Sequence, residues 1–388
     1  MVFFSAYPAN IFERIEKYKM KKILLIIEDD FEVLGNGLGN VAYHQYLPAN
    51  FLQNLCEEIG IRSSFMVDMA HVFELKKVSS KSSDIRLQLN LWEETVKQMV
   101  ERGFDVQLHL HPQWLNATYK EPFFYLGDNW NLGRCKKDEQ EILIKNSVEY
   151  LTNLITPIKK DYKLLAFKGG AWGLQPSEDL LSLFNSYGFE LICGPRKDMH
   201  IPSAGIDYRG LEEPTRPYCP DFKDIRKIGD KGNLTIIPLA YYSPSIVNLS
   251  KLSFHLLKGR LAKKPDYLEF YNKPIPKEIS SLNGINNKKL FKFGLHPYLT
   301  HLKMSNEPFS YLKNSFDTVH KRIMKLEGDV IPVIIETHTK RYMGNYKNIS
   351  QFLKYIVNEY NETVEFITFS DYVNHYKNKT TIVSNENM

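Results

Sequence analysis

The chain has 388 residues, of which 43% are hydrophobic and 24% charged, a composition typical of a globular protein with one large α/β domain or two smaller ones. Its net charge of +5 is small for this length, so we expect no nucleic-acid partner. No apolar run approaches the ~18 residues that cross a bilayer, and the N-terminus lacks the features of a signal peptide. Four cysteines without a Cys-x-x-Cys pair suit free thiols in a reducing compartment. The expected location is therefore the cytoplasm, or the inner face of its membrane.

Short apolar runs bounded by glycine, proline or charge predict buried strands. These runs are 22–28, 61–67, 104–110, 163–169, 189–193, 233–240, 290–296, 330–337 and 363–369. Stretches with apolar spacings of three and four predict helices between most of them, at 49–59, 87–100, 138–154, 177–187 and 346–360. Alternating strands and helices predict an α/β fold with a parallel sheet, and eight or so strands favour a barrel over an open sheet.

This alternation fails at 199–289, which is rich in proline and too long for a plain loop. The predicted division is an N-terminal helical extension (1–21), the first part of the barrel (22–198), a basic insertion or lid (199–289), the last part of the barrel (290–375) and a polar tail (376–388). Between 251 and 292 there are ten Lys/Arg and three Asp/Glu. These bases predict either a solvated surface or a patch that meets a phosphate-bearing substrate or an anionic membrane surface.

The stretch "FDVQLHLHPQW" ends a predicted strand in two histidines, His109 and His111. Side chains two apart leave a strand on one face, with Cα atoms roughly 6.6 Å apart at ~3.3 Å per residue. Two imidazoles at that spacing can reach one metal ion. Pro112 stops the strand, so the pair is expected at the carboxyl end of the sheet, where α/β folds place their sites. The alternative is two ordinary polar residues at a strand exit.

The first predicted strand ends in three acids, Glu28, Asp29 and Asp30. Acids this close repel one another, and burying them costs several kcal/mol unless a cation or hydrogen bonds compensate. An exposed acidic strand end is the alternative. Charged or imidazole side chains also follow later predicted strands, namely Lys168, His296, Glu336 and His338. Together with the histidine pair, these strand ends predict a metal site at one end of the sheet.

The order of these motifs resembles the polysaccharide deacetylase (NodB-like) superfamily, carbohydrate esterase family 4 and its relatives. The resemblance implies a distorted, incomplete (β/α) barrel around one divalent metal ion, usually zinc. "LLIIEDDF" is similar to the first motif, which makes Asp29 the general base and Asp30 a metal ligand. "LHLHP" is similar to the second motif, which makes His109 and His111 the other ligands.

"FKGGAWG" is similar to the third motif, with Lys168 holding the base and Trp172 on an aromatic rim; "VIIETHTK" is similar to the closing motif, with His338 as general acid. The chain departs from the family in three of these places. Its histidines are two apart rather than four, Phe31 stands where glycine is common, and a lysine replaces arginine, whose planar fork holds a carboxylate more rigidly. These departures indicate a divergent, intracellular branch, such as those of surface-polysaccharide biosynthesis.

Several roles stay open in the sequence. In an extended strand Glu28 and Asp30 share a face and Asp29 points away, which makes Glu28 an alternative ligand. His296 is a rival to His338 as the acid, or a further ligand.

Other residues near these motifs have weaker predicted roles. Glu336 is expected to fix the tautomer of His338, as carboxylates around metal sites often do. Trp114 and Trp172 are candidate sugar platforms, with core packing as the alternative.

The function that follows is a metal-dependent hydrolase that removes an acyl group from an amino sugar or glycan precursor. The substrate is a carbohydrate, free or linked to a nucleotide or lipid, and the basic 251–292 segment is a candidate membrane contact. One alternative is an amidohydrolase-type metal hydrolase of another small amide. The other is a non-catalytic carbohydrate-binding protein on the same barrel. The sequence indicates no oligomeric state.

Overall fold

The computed structural model describes residues 21–261, 299–326, 328, 330–342 and 345–387, without the side chains of 258–261, 339 and 387. The predicted N-terminal helix, the predicted strand at 290–296 and His296 lie outside the described residues. Among the residues described, no helix is long and apolar enough to span a membrane.

The described strands are numbered β1 to β15 in chain order. Nine of them form one sheet: β1 Lys22–Phe31, β2 Ser64–Asp68, β3 Asp105–Leu110, β6 Ala166–Gly169, β7 Leu191–Cys193, β10 Thr235–Ile237, β13 Lys303–Met304, β14 Val330–Thr337 and β15 Val364–Ile367. The other six form antiparallel pairs: β4 Thr118–Lys120 with β5 Phe123–Tyr125, β8 His200–Ile201 with β9 Ile206–Asp207, and β11 Tyr241–Tyr242 with β12 Thr300–His301.

The large sheet has the strand order β10-β7-β6-β3-β2-β1-β14-β13, with β15 also paired to β1. All of its ladders are parallel. The sheet curls until β10 contacts β14, although no ladder joins these two strands within the described residues. The prediction of a distorted, incomplete (β/α) barrel is thereby confirmed.

Eight longer helices of the described residues accompany the strands: Leu47–Glu58, Met69–Ser79, Ser83–Glu101, Lys137–Ile155, Glu178–Ser186, Ile246–Leu261, Phe309–Ile323 and Tyr346–Glu359. Five of them match predicted helices to within a few residues. Short helical turns lie at Ala42–Tyr46, Pro112–Trp114, Leu132–Arg134, Gly170–Trp172, Pro202–Ala204, Thr339–Arg341, Phe369–Asp371, Tyr372–Tyr376, Lys377–Lys379 and Asn385–Asn387.

The two faces of the sheet pack into two separate cores. On β1, Ile23, Leu25 and Ile27 belong to the large outer core, which the helices cover. Leu24 and Ile26 belong to a smaller core inside the barrel. This period of two is the one that an extended strand imposes. The inner apolar layer of β1 ends at Ile26, and the next inward-facing position is an acid.

Part of the predicted insertion belongs to the barrel itself. β10, at Thr235–Ile237, pairs in parallel with β7 and is the last strand on its side of the sheet. The predicted polar tail is also packed, since Val383 is 5% exposed and forms a bridge with Tyr218. The regular alternation of strands and helices breaks down in 199–289 although the sheet continues, because the connection from β7 to β10 contains a short strand pair and one helical turn instead of a long helix.

Candidate metal centre

The first group of site residues comes from β1 and the residue that follows it. Glu28 and Asp30 follow Leu24 and Ile26 at every second position, so strand spacing puts their buried carboxylates on the inner face. Glu32, also buried, comes one residue after β1 ends, where its backbone N–H donates to the carbonyl of Asp30 at 3.0 Å. Glu32 has no role in the sequence interpretation, although the alternation from position 24 to 32 contains the signal for it.

Asp29 lies on the other face of the strand. β1 stays extended through Phe31, whose ring is in the outer core, so the Asp29 side chain points outward with it. There Asp29 contributes to the raised pKa values of Tyr342 and Cys56, behind the effect of their own burial. The structure therefore separates Asp29 from the inner carboxylates and agrees with the strand-geometry alternative, in which Glu28 and Asp30 share a face.

Lys168, at the end of β6, joins three of the acids. Its Nζ lies 2.9 Å from a carboxylate oxygen of Glu28, 2.9 Å from Asp30 and 3.1 Å from Glu336. Burial alone would lower the pKa of this lysine, but the three carboxylates raise it well above its usual value. Lys168 is thus a buried cation that holds Asp30 in place.

The three carboxyl groups around Lys168 differ in their pKa values. Burial, with Asp30 and Glu336 nearby, raises the pKa of Glu28 well above its usual value despite Lys168. Burial would also raise the pKa of Asp30, but Lys168, His109 and His338 hold it well below its usual range. Asp30 is therefore a carboxylate, and Glu28 is the acid in this cluster that most readily carries a proton.

The predicted histidine pair presents two ring nitrogens to the same space. Nδ1 of His109 donates to the carbonyl oxygen of Lys168 at 2.8 Å, so the neutral ring has its lone pair on Nε2. Burial lowers the pKa of His109, but Asp30 and Glu32 raise it to about 9, so a metal ion has to displace the Nε2 proton. Nδ1 of His111 lies 3.0 Å from the side-chain amide of Gln113, and its Nε2 contacts Glu32. A hydrogen bond at one ring nitrogen that aims the other is the usual arrangement of metal-binding histidines.

The donors around Glu32 fit a divalent metal ion. Nε2 of His109 lies 4.0 Å from Oδ1 of Asp30 and 3.8 Å from Oε2 of Glu32. Nε2 of His109 is buried and has no hydrogen-bond partner among the described residues, whereas Oδ1 of Asp30 lies 2.9 Å from Nζ of Lys168. These separations are too long for hydrogen bonds, but two ligand atoms on one ion, each bound at about 2.0–2.2 Å, lie up to this far apart.

Two sets of three donors share Glu32. The ligand atoms of Glu32, His109 and His111 all lie within 4.8 Å of one another, as do those of Asp30, Glu32 and His338. Two imidazoles and one carboxylate form the kind of ligand set that catalytic zinc sites use.

His338 connects the carboxylates to an accessible surface. Its Nε2 lies 3.1 Å from Oδ2 of Asp30, and 16% of its side chain is exposed. Burial lowers the pKa of His338, while Asp30 and Glu336 oppose that effect. The carboxylate of Asp30 can only accept, so Nε2 carries the hydrogen and Nδ1 is the basic nitrogen.

Glu336 contacts the rim of the site rather than His338. Its Oε1 accepts from Nε2 of His301 at 3.0 Å, and its Oε2 accepts from Nε1 of Trp172 at 2.7 Å. Nδ1 of His338 is 3.8 Å from Oε1 of Glu336, too far for a hydrogen bond. The expectation that Glu336 fixes the tautomer of His338 is therefore corrected, because Asp30 takes that position. His301 has no role in the sequence interpretation.

The two candidate sugar platforms differ in access. Trp114 is 2% exposed and packs against the ring of His71 in the outer core, so its core alternative agrees with the structure. Trp172 is half-buried at the rim, and both it and Ala171 have left-handed backbone conformations, with φ of 60° and 48°. The Tyr208 hydroxyl donates to the carbonyl of Trp172 at 2.6 Å. Strained residues of this kind cluster at functional sites.

A cavity of about 380 Å³ opens beside His338. Its polar wall includes Glu336, His338 and His301, and Trp172 lies at its edge. Leu249, Leu252 and Leu256 of the helix Ile246–Leu261 line it as well. The other lining residues are Ser253, Lys303, Ser305, Asn306, Glu307 and Arg341. The cavity thus has an apolar surface and, beside it, side chains that can exchange protons.

Comparison with known proteins gives a likeness of fold. No protein-family model and no curated protein matches the sequence. A Mycobacterium smegmatis protein assigned as a polysaccharide deacetylase is similar in structure, with 10% identity, a TM-score of 0.49 and coverage of 94% of this chain and 93% of that one. A Pseudomonas aeruginosa PAO1 protein with the same assignment has 11% identity, a TM-score of 0.46 and coverage of 92% of each chain.

The Puue allantoinase is also similar, with 12% identity, a TM-score of 0.45 and coverage of 92% of each chain. At these identities and TM-scores the likeness gives no shared family and no shared activity. It concerns the fold alone, so the activity has to be argued from the side chains of this chain.

Proposed function

We propose that this protein is a metal-dependent hydrolase that removes an acyl group from an amino sugar or a related glycan precursor. One observation carries the proposal: Nε2 of His109 is buried without a hydrogen-bond partner among the described residues and lies 4.0 Å from Oδ1 of Asp30 and 3.8 Å from Oε2 of Glu32. His111 and His338 lie beside the same carboxylates, and His338 reaches the cavity. A buried polar atom without a hydrogen-bond partner is costly unless a ligand binds it.

Glu32, His109 and His111 would hold the metal, and zinc is the ion that suits two imidazoles and a carboxylate best. A divalent ion bound there supplies polarisation of a carbonyl oxygen and a lowered pKa for a water molecule. This proposal therefore assigns two roles to residues other than those that the family resemblance implies. Glu32 replaces Asp30 as the carboxylate ligand, and Asp30 replaces Asp29 as the base.

Asp30 and His338 would move the protons. Asp30 takes a proton from the water whose oxygen bonds to the acyl carbon, and Lys168 keeps this carboxylate ionised and oriented. In its doubly protonated form, with Nε2 donating to Asp30 at 3.1 Å, His338 delivers its Nδ1 proton to the leaving nitrogen or oxygen as the bond to the acyl carbon breaks. Proton exchange with solvent then returns Asp30 to its carboxylate and His338 to its protonated form. The products are a carboxylic acid and a free amine or alcohol, so no further reactant is needed.

Two features of the cavity support a sugar derivative as the substrate. Trp172 lines the cavity, where an aromatic face can pack on a sugar, and polar side chains such as Glu307 and Arg341 line it as well. A place in surface-polysaccharide biosynthesis remains part of the proposal, on the strength of the motif resemblance.

The role of Asp30 is tested by comparing Asp30→Asn with Asp29→Asn. We expect the Asp30 variant to lose about 10²–10⁴-fold in kcat on an acylated amino sugar, because a general base is removed. The Asp29 variant should keep most of its activity, since its carboxylate lies on the outer face. Assays on zinc-loaded protein, with metal content measured in parallel, separate a lost base from a lost ligand.

The opposite ranking, with Asp29→Asn inactive and Asp30→Asn active, would restore the roles implied by resemblance. A parent protein that binds metal and acylated sugars without turnover would instead support the non-catalytic alternative.

A further inference from the structure

The cavity beside the candidate metal centre has an apolar wall. Three leucines of the helix Ile246–Leu261 line it, namely Leu249, Leu252 and Leu256. At about 100° per residue their positions fall within an arc of roughly 60°, so they form one continuous face of the helix. All three are half-buried, which leaves part of each side chain open to the cavity. An apolar group bound there would remove this leucine surface from water.

This wall is held in place and adjoins the reacting groups. The side-chain amide nitrogen of Asn314 donates to Oδ1 of Asn248 at 2.9 Å, which ties the leucine-bearing helix to its neighbour Phe309–Ile323. Leu252 also packs against the outer core. His338, the proposed proton donor, lines the same cavity. A substrate whose acyl carbon lies next to His338 therefore shares its cavity with the three leucines.

An acetylated sugar without a longer apolar group would use this wall poorly. Leu249 and Leu256 are seven residues apart, which separates them by roughly 10 Å along the helix. An acetyl group has a single methyl and is too short to cover that distance, and sugar hydroxyls placed against leucine would lose their hydrogen bonds to water. A chain of several methylenes can cover it, and each methylene that leaves water strengthens binding about fourfold.

We propose that the substrate carries a linear alkyl chain, which lies along Leu249, Leu252 and Leu256 while the sugar contacts the polar residues of the cavity. This inference deepens the proposed function, on which it rests in taking an acylated amino sugar as the head group. Two parts of such a molecule can carry the chain: the acyl group that is removed, or an alkyl group linked to the anomeric carbon of the sugar. Both present the same chemistry to the leucines.

Three glucosamine derivatives test the proposal and distinguish these two positions of the chain. N-acetylglucosamine is the short reference, N-octanoylglucosamine has the chain on the acyl group, and octyl N-acetylglucosaminide has it on the sugar. Calorimetry with zinc-loaded protein, with Asp30→Asn in place of the parent where turnover interferes, measures binding. We expect at least one octyl compound to bind at least about tenfold more tightly than the reference. Its kcat/KM with the parent should exceed that of the reference by a similar factor.

The double variant Leu249→Asn with Leu256→Asn tests the wall itself. Asparagine is similar in size but polar, so the octyl compound should bind at least about fivefold more weakly, while the reference keeps its affinity. Ile246→Asn with Leu257→Asn is the matched control on the same helix, since both side chains are more than half exposed and neither lines the cavity. This control should keep the preference for the octyl compound.

Failure of the parent to bind either octyl compound more tightly than N-acetylglucosamine would overturn the proposal, and so would equal loss in both double variants. Turnover of all three compounds at one kcat/KM, with equal affinities, would leave the hydrolase in place and remove the alkyl chain. Tight, leucine-dependent binding of an octyl compound without any turnover would instead contradict the proposed hydrolase and support the alkyl-chain site.

Discussion

Replacing His109 and His111 together with alanine is expected to reduce the metal content from about one ion per chain to near none. The reason is geometric, since Nε2 of each imidazole lies near Glu32, and the variant keeps a single described nitrogen beside that carboxylate, Nε2 of His338. Elemental analysis of protein purified in the presence of zinc measures the effect. Circular dichroism of the same samples shows whether the fold persists.

A second double variant controls for the loss of histidines as such. His320 is half-buried on the helix Phe309–Ile323 and His375 is exposed, and neither belongs to the two metal-binding groups. The variant His320→Ala with His375→Ala should keep the full metal content. Metal retained at parent level in the His109/His111 variant would show that these histidines do not bind the metal. Metal lost equally in both variants would indicate non-specific binding.

Glu32→Gln extends this test to the carboxylate. An amide is neutral and a weaker ligand than a carboxylate, so this variant should also lose metal, whereas Asp29→Asn should not. If Glu32→Gln keeps a full complement while Asp30→Asn loses it, Asp30 is the ligand, as the family resemblance implies, and the assignment of Glu32 is wrong.

The barrel can be predicted from the sequence because its strands are short, apolar and regularly separated. The predicted strands at 22–28 and 330–337, for example, are the parallel pair β1 and β14. The helix Phe309–Ile323 is absent from the sequence interpretation, yet its buried positions Leu312, Phe316, Val319 and Ile323 follow a helical period. That signal was present in the chain, and its position after an irregular region obscured it.

The role of each acid on β1 depends on where the strand stops being extended. A sequence motif does not contain that information. Phe31 replaces the family's glycine, and its ring packs 6.2 Å from that of Phe65 in the outer core. A side chain anchored there keeps the strand extended through Phe31, so Asp29 faces outward, and Glu32 follows directly at the end of the strand. The departure from the motif was visible in the sequence, but its effect on the direction of neighbouring side chains follows only from the packing of that ring.

His301 could not be predicted for a different reason. It belongs to β12, a strand of two residues, which is too short to produce any periodic pattern. Its contact with Glu336 joins residues 35 positions apart. The cavity wall made by the helix Ile246–Leu261 also results from tertiary packing, since the sequence of this helix does not say which of its faces packs against the barrel.

Lys168→Met is expected to produce the largest change in stability. The ammonium group contacts Glu28, Asp30 and Glu336 at 2.9–3.1 Å, and all four residues are buried. Removing the cation leaves three carboxyl groups without their partner, which costs about 3–5 kcal/mol in the free energy of unfolding. Urea denaturation measures this loss. Lys354→Met is the matched control, because Lys354 pairs with Glu58 in solvent and such pairs contribute ~0–1 kcal/mol.

A second variant keeps the test decisive if Lys168→Met does not fold. Adding Glu28→Gln removes one of the carboxyl groups that the lysine neutralises, so the double variant should be more stable than Lys168→Met alone. Equal stability of the two would mean that Glu28 does not interact with the lysine.

The stability lost in Lys168→Met should also depend on pH. The pKa of Glu28 is already raised well above its usual value by burial, and Lys168 is the group that opposes this shift. Without the lysine, the folded state holds a proton on Glu28 that the unfolded state releases at neutral pH. A group whose pKa is higher in the folded state stabilises the fold at low pH and loses that effect as the pH rises through its folded pKa. The difference in unfolding free energy between variant and parent should therefore narrow as the pH falls toward the usual carboxyl range, about 4–5.

A difference that stays constant or widens between neutral pH and that range would mean that packing of the lysine stem, rather than its charge, holds the three carboxyl groups together.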